Sequence, residues 1–320
     1  MNVFKLIRFQ LLFILFVGVG HQFAQEAPAD YYDSAEGLTG EELKAALNEI
    51  ISGHVKFPYS SSLTDTWDIL KETDKDPNNP NNVILLYTGA SVDGAQEFNN
   101  GNGWNREHVW AKSRGDFGTA QGPGTDVHAL RPANIDVNSH RGNRWFGYGN
   151  LDYKINNELV ARLHVTNFTW EPRDEIKGDV ARMIFYMATR YEGKNGEPDL
   201  EVIDYFPSNK QTTDPVHAKL SALLEWHELD PVDDRERNRN HIIYTHHQKN
   251  RNPFIDRPEF VAAIWGESST SAIDSYVVEE EVEAELVKIV DMLGREVEPK
   301  PGVLQLYIYS DGNVVKKIIK

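Results

Sequence analysis

Asn105-Arg106-Glu107-His108-Val109-Trp110 sets an imidazole beside a carboxylate, and the two stretches that follow it complete a set of parts for one kind of chemistry. Downstream lie Asp126-Val127-His128-Ala129-Leu130-Arg131-Pro132-Ala133-Asn134 and then Asn138-Ser139-His140-Arg141-Gly142-Asn143. Residues 104–110 read as a strand. Four glycines and a proline between Ser113 and Thr125 make the next segment a loop. Pro132 suits the first position of a helix running to about Gly142. On such a helix Asn134 and Asn138 share a face, with Arg141 one turn beyond and Arg131 just before the start.

Near neutrality His108 is mostly unprotonated and can take a proton from water, while ionised Glu107 suits a hard cation. Neighbours on a strand point to opposite faces, so both serve one site only at a strand end or bulge. A metal enzyme that cuts phosphodiesters needs a neutral base, oxygen ligands for the cation and positive groups for phosphate. Taken singly, each residue has a blander role. His108 alone reads as a hydrogen-bonded histidine, Glu107 as a solvated charge and Asn138 as a surface amide. Arg141 and Arg144 serve equally well as salt-bridge partners. His128 reads as structural, and His246-His247 as loop residues.

The 320-residue chain is long enough for one large domain with accessory pieces. It has no cysteine, which excludes disulfides, thiolate metal sites and a lipoprotein anchor. Lys5 and Arg8, an apolar run over 11–19 and Phe23-Ala24-Gln25 read as a secretory signal occupying residues 1–25. No later stretch is apolar enough to span a bilayer, so the reading is an exported chain without stable membrane insertion; a monomer is expected. A net charge of −16 argues against a nucleic-acid partner. Its distribution softens that argument. Residues 101–150 hold six Lys/Arg against four Asp/Glu, and 235–257 hold six against two.

Thr39-Gly40-Glu41-Glu42 matches a capping box before Leu43, Ala46, Leu47, Ile50 and Ile51 at helical spacing. Further helices are expected over 65–72, 179–191, 216–230 and 258–265, and a buried strand over 83–87. Asp74 to Asn82 lacks the glycine and final acid of a calcium loop and reads as a Pro/Asn-rich turn. A boundary at 267–271 separates a domain over 26–266 from a tail over 267–320 that patterns as a small β-unit.

Glu-His, then Asp-x-His-x-Leu-x-Pro-Ala, then Val-Asn-x-x-Arg-x-Asn resembles the bacterial endonuclease I family. Glu171-Pro172-Arg173-Asp174-Glu175, Lys177-Gly178-Asp179-Val180-Ala181-Arg182, Glu236-Arg237-Asn238 and Asn250-Arg251-Asn252-Pro253-Phe254 extend the likeness across residues 31–266. The resemblance implies an α+β, mainly helical domain around a ββα-metal (His-Me finger) core. It implies a secreted non-specific nuclease that cuts DNA, and often RNA, to leave 5′-phosphate ends. In it His108 is the general base, and Glu107 and Asn138 hold Mg²⁺ or another divalent cation such as Ca²⁺ or Mn²⁺. An arginine, Arg141 or Arg114, stabilises phosphate, with Arg131 and Arg144 as further phosphate-binding candidates. The tail resembles a type IX secretion sorting domain, through Val290-Asp291-Met292-Leu293-Gly294-Arg295 and the lysine-rich end, which implies a secretion-machinery partner.

Two rival functions have weaker support. His227-Glu228-Leu229-Asp230-Pro231 lacks the second histidine of a helical zinc-protease motif. A non-catalytic binding module using the seven Trp and thirteen Tyr would retain nucleic acid or glycan without turnover.

Overall fold

The computed structural model describes residues 26–217, 219–266, 286–290, 295–300, 303–309 and 314–318. The signal-like start, the expected boundary at 267–271 and much of the sorting-like motif lie outside the described residues. The chain divides into two compact units, Met1–Ser269 and Thr270–Lys320. Among the described residues no helix is long and apolar enough to cross a membrane.

The first unit is mixed α/β. Helices α1 (Gly40–Ile51) and α2 (Thr66–Thr73) precede a three-stranded antiparallel sheet of β1 (Lys75–Asp76), β2 (Asn79–Ile84) and β3 (Ser91–Asp93). Strand β4 (Trp104–His108) pairs antiparallel with β5 (Leu130–Asn134), which runs straight into helix α3 (Ile135–Arg141). A four-stranded sheet in the order β6-β9-β8-β7 comes next, from β6 (Trp145–Phe146), β7 (Leu151–Ile155), β8 (Glu158–His164) and β9 (Thr169–Pro172). Helix α4 (Lys177–Arg190), the parallel pair β10 (Glu201–Val202) and β11 (Val216–His217), and helices α5 (Leu220–Leu229), α6 (Asp234–His246), α7 (Pro253–Asp256) and α8 (Glu259–Trp265) complete it.

Packing explains these elements. Leu43, Leu47 and Ile51 recur at helical spacing on α1 and are fully buried against the main core. Helix α4 is buried almost all round, as a central helix should be. Gly178 lies where α4 meets the end of α5; a Cβ there would stand 1.9 Å from the Asp230 carbonyl oxygen.

Several local expectations are corrected. Thr39 is the N-cap of α1, but its side chain makes no capping bond. The capping box forms at α2, where Asp65 Oδ1 accepts from Trp67 N at 2.8 Å and Asp68 reaches back to Asp65 N. The Pro/Asn-rich turn is the β1–β2 hairpin, and the strand expected over 83–87 ends at Ile84. Pro132 sits inside β5 instead of opening a helix. Its carbonyl points away from β4 and accepts from Leu86 N at 2.8 Å, so its missing N–H lies on the ladder's outer edge and costs no ladder bond. Asn134 ends the strand and caps α3, its Oδ1 accepting from Asp136 N (3.0 Å) and Val137 N (3.1 Å).

Without disulfides, buried polar hubs tie the unit together. Asp126 is buried, and its carboxylate accepts from the Tyr186 and Tyr191 hydroxyls (2.8 Å each), Gln248 Nε2 (2.9 Å) and His128 N (3.0 Å). Asp126→Ala removes the acceptor of the Tyr186 and Tyr191 hydroxyls and of His128 N in a buried site, while Gln248 Nε2 keeps Asn250 Oδ1 at 3.3 Å. It is expected to destabilise by about 3 kcal/mol, read as a lower denaturant midpoint at unchanged m-value.

The second unit's described residues form an antiparallel sheet in the order β12 (Leu286–Val290), β13 (Leu304–Tyr309) and β14 (Val314–Ile318). Among its described side chains, Ile289, Val290 and Tyr307 are buried and apolar.

Candidate active site

The antiparallel β4–β5 pair delivers Glu107 and His108 at the end of β4, and α3 lays its first turns beside that end. His108 is the strand's last residue, so the alternation of faces lapses there. Glu107, His108, Asn138 and Arg141 line one cleft of about 590 Å³, together with Tyr59, Arg106 and Lys112.

Glu107 is almost wholly buried. The Tyr87 hydroxyl donates to its Oε1 at 2.7 Å, and Arg141 Nη1 stands 3.3 Å from the same oxygen. Both contacts fall on Oε1, which leaves Oε2 as the acceptor for another partner. Burial pushes the carboxyl's pKa up, against the pull of Arg141 and Tyr87.

His108 Nε2 lies 3.0 Å from the Gly124 carbonyl oxygen. A carbonyl only accepts, so the proton is on Nε2 and Nδ1 carries the lone pair. Burial pushes the imidazole down to about 3; the Gly124 bond opposes this, and the positive Lys112, Arg106 and Arg141 add to it. The ring stacks on Tyr59 at 5.6 Å with an interplanar angle of 22°. Gly124 has to be glycine here, because a Cβ would come 2.6 Å from Gly118 O and 2.9 Å from Ala120 O. The glycine-rich loop therefore folds back on itself to aim one carbonyl at the His108 imidazole.

Asn138, on α3, donates Nδ2 to Asn105 Oδ1 (2.9 Å) and to the Arg106 carbonyl (3.3 Å). Both bonds use the amide N–H groups and leave Oδ1 as an acceptor. Asn134 shares none of this, since its side chain is spent on capping.

The arginines separate sharply. Arg141 is buried and clamps the end of β4: Nη1 donates to His108 O at 3.1 Å and Nη2 to Val109 O at 2.6 Å. Arg131, a phosphate-binding candidate by sequence, is buried on β5 and paired with Asp74 (2.6 Å) and Asp179 (3.3 Å). It sits in a buried charge network, sharing Asp74 with Arg239 and Asp179 with Arg182, and does not line the cleft where the sequence reading places it. Arg114 is also buried outside the cleft lining, over the Trp145 ring and bonded to Asn143 O at 3.1 Å. Arg144 lies over Phe168 and likewise does not line the cleft.

Two cations that sequence reasoning passed over do line it. Arg106 is held between Tyr59 (3.4 Å) and Trp67 (4.1 Å) and donates to Thr66 Oγ1 at 2.9 Å. Lys112 is exposed at the rim. The positive balance over 101–150 was the only signal for them. His128 is buried, with Nε2 3.2 Å from Asn250 O, away from the cleft. His227 meets Pro258 O at 3.0 Å and Arg182 Nη1 at 3.4 Å.

Residues 39–259 match the model of the Endonuclease I family. The chain is similar to the extracellular ribonuclease of Bacillus subtilis (strain 168), 53% identical over 257 residues that cover 78% of this chain and 85% of the relative. It is also similar to the extracellular ribonuclease of Bacillus amyloliquefaciens, 54% identical over 235 residues, covering 73% and 78%. The protein is a nuclease, an enzyme acting on phosphodiester bonds. It belongs to the Endonuclease I family.

Proposed function

We propose that the protein is a secreted, divalent-metal-dependent endonuclease that hydrolyses DNA and RNA by general-base catalysis, working as a monomer. One observation carries the reading. An unprotonated imidazole nitrogen, a carboxylate oxygen and an amide oxygen, each left open by its own hydrogen bonds, line the same cleft as Arg141. The β4–β5–α3 unit, with the base at a strand end and a ligand on the following helix, supports a ββα-metal (His-Me finger) core.

The donor set fits a hard cation. Glu107 Oε2 and Asn138 Oδ1 are oxygen ligands, and Mg²⁺, Ca²⁺ and Mn²⁺ prefer oxygen, with water completing the shell. When bound, such a cation polarises the phosphoryl group and neutralises charge growing on the departing O3′. The chain's own residues do the rest. His108 Nδ1 takes the proton of a water attacking phosphorus in line with the P–O3′ bond, and Gly124 O holds the imidazole in the tautomer that leaves Nδ1 open. Arg141 sets the strand end that presents both groups. Lys112 at the rim, with the charge of the buried Arg106 behind it in the cleft wall, supplies the positive field that receives backbone phosphates, so cleavage is nearly blind to sequence. The products carry a 5′-phosphate and a 3′-hydroxyl.

The ribonuclease names of the relatives support RNA as well as DNA, and the word extracellular in those names, with the signal-like start, supports export. The tail serves as the address for a type IX secretion machinery in this reading. To test the activity, supercoiled plasmid and unstructured RNA are each incubated with protein and Mg²⁺, with and without EDTA. Nicking and RNA breakdown that chelation abolishes, with 5′-phosphate ends, are expected. A mobility shift without cleavage, or undiminished cleavage in EDTA, overturns the reading.

A further inference from the structure

Outside the nuclease cleft, three metal-ligating side chains from two packed helices converge. Glu72 lies in the last turn of α2, His246 ends α6 and His247 is its C-cap. Helices α2 and α6 pack together over Ile69, Ile243 and Val127, with Phe57 against them. His247 sits edge-on to Phe57 at 6.0 Å, so its ring has a fixed seat. Both imidazoles turn to the one carboxylate, His246 Nδ1 to Oε1 and His247 Nε2 to Oε2, the latter at 2.8 Å. The three donor atoms all lie within 4.8 Å of one another. The neighbouring Lys249 points its ammonium at Thr245 O rather than at the carboxylate.

We propose that Glu72, His246 and His247 form a zinc site that ties α2 to α6. The ligand chemistry chooses the ion. Two imidazole nitrogens and one carboxylate oxygen suit borderline Zn²⁺, in contrast to the all-oxygen pair in the cleft. Side-chain exposures of 36% for Glu72, 56% for His246 and 10% for His247 leave a face open to water, which supplies the remaining ligand. The ion has a structural task. Trp67, one helix length from Glu72 on α2, lines the nuclease cleft and packs on Arg106, so the clip holds one cleft wall to α6.

Full-length protein carrying Glu107→Ala, which removes a ligand of the other site, is titrated with Zn²⁺ by calorimetry and melted with and without it. One equivalent of Zn²⁺ is expected to bind and to raise Tm by several degrees, because a ligand that binds only the folded state stabilises it. Adding Glu72→Gln or His246→Ala should weaken binding by about a hundredfold or more and abolish the rise in Tm. His246 is more than half exposed, so its loss leaves the metal-free fold intact and keeps the test valid should Glu72→Gln misfold. Co²⁺ in place of Zn²⁺ should give tetrahedral visible bands that both variants lose. Absence of Zn²⁺ binding, or binding that both substitutions leave unchanged, overturns the site. None of these readouts uses nucleolytic activity, so failure here is separable from failure of the proposed function.

Discussion

His108→Ala is expected to lower kcat/KM on both DNA and RNA by about a thousandfold at saturating Mg²⁺, the usual scale for losing a positioned general base. The imidazole is held at two places, by Gly124 O on Nε2 and by the Tyr59 ring face, so in the proposed mechanism Nδ1 would meet the attacking water with little freedom left to lose. The other basic side chains of the cleft, Arg106, Lys112 and Arg141, are cations that carry no lone pair and so offer no substitute imidazole. His128 supplies the internal control. It is as deeply buried, and burial pushes it down to about 4, yet it bonds Asn250 and does not line this cleft. His128→Ala should therefore lower Tm while leaving kcat/KM per folded molecule within a few-fold. Single-turnover rates and melts of both variants make the comparison. Activity of His108→Ala within tenfold of the parent would remove His108 from the chemistry.

What the sequence revealed and what it hid divide along one physical line. That Glu107, His108 and Asn138 share one cleft was legible because they lie in short strings, and a strand end followed by a helix brings them together locally. Arg131 was misread because its partners Asp74 and Asp179 stand 57 and 48 residues away. No local pattern distinguishes a cation facing phosphate from one facing a distant acid. Arg106 was passed over for the mirror-image reason, since its aromatic seat comes from Tyr59 and Trp67 in another segment. Pro132 misled because a proline fits the start of a helix and the outer edge of a strand equally well. The β7–β8 hairpin had a readable signal that went unused: Asn156-Asn157, both at positive φ (51° and 69°), form the two-residue turn between paired Ile155 and Glu158. Among the strings that carried the family resemblance, several are scaffolding. Arg182 pairs with Glu236 at 2.5 Å, Lys177 with Glu171 at 2.7 Å and Arg251 with Asp256 at 2.6 Å, all outside the cleft lining.

Glu107→Ala is expected to lower kcat/KM by about a thousandfold at ordinary Mg²⁺ and to raise the Mg²⁺ concentration at half-maximal rate, because one of two protein oxygens for the cation is gone. Unlike the His108 variant, it should recover part of its rate as Mg²⁺ is raised. The same carboxylate is expected to set the acid side of the wild-type profile. Burial raises the Glu107 pKa, and a protonated carboxyl is a poor cation ligand. As pH falls through that raised value, protons displace metal and the half-saturating Mg²⁺ concentration climbs. His108 adds no limb in this range: it is pushed down to about 3 and stays unprotonated while Glu107 titrates. Excess Mg²⁺ should therefore restore rate lost on mild acidification. Steady-state titrations of Mg²⁺ across a pH series, in the parent and the variant, measure both effects. An unchanged half-saturation point in Glu107→Ala would show that the cation is held elsewhere, and an acid limb near the usual histidine range that Mg²⁺ cannot reverse would return the titration to His108.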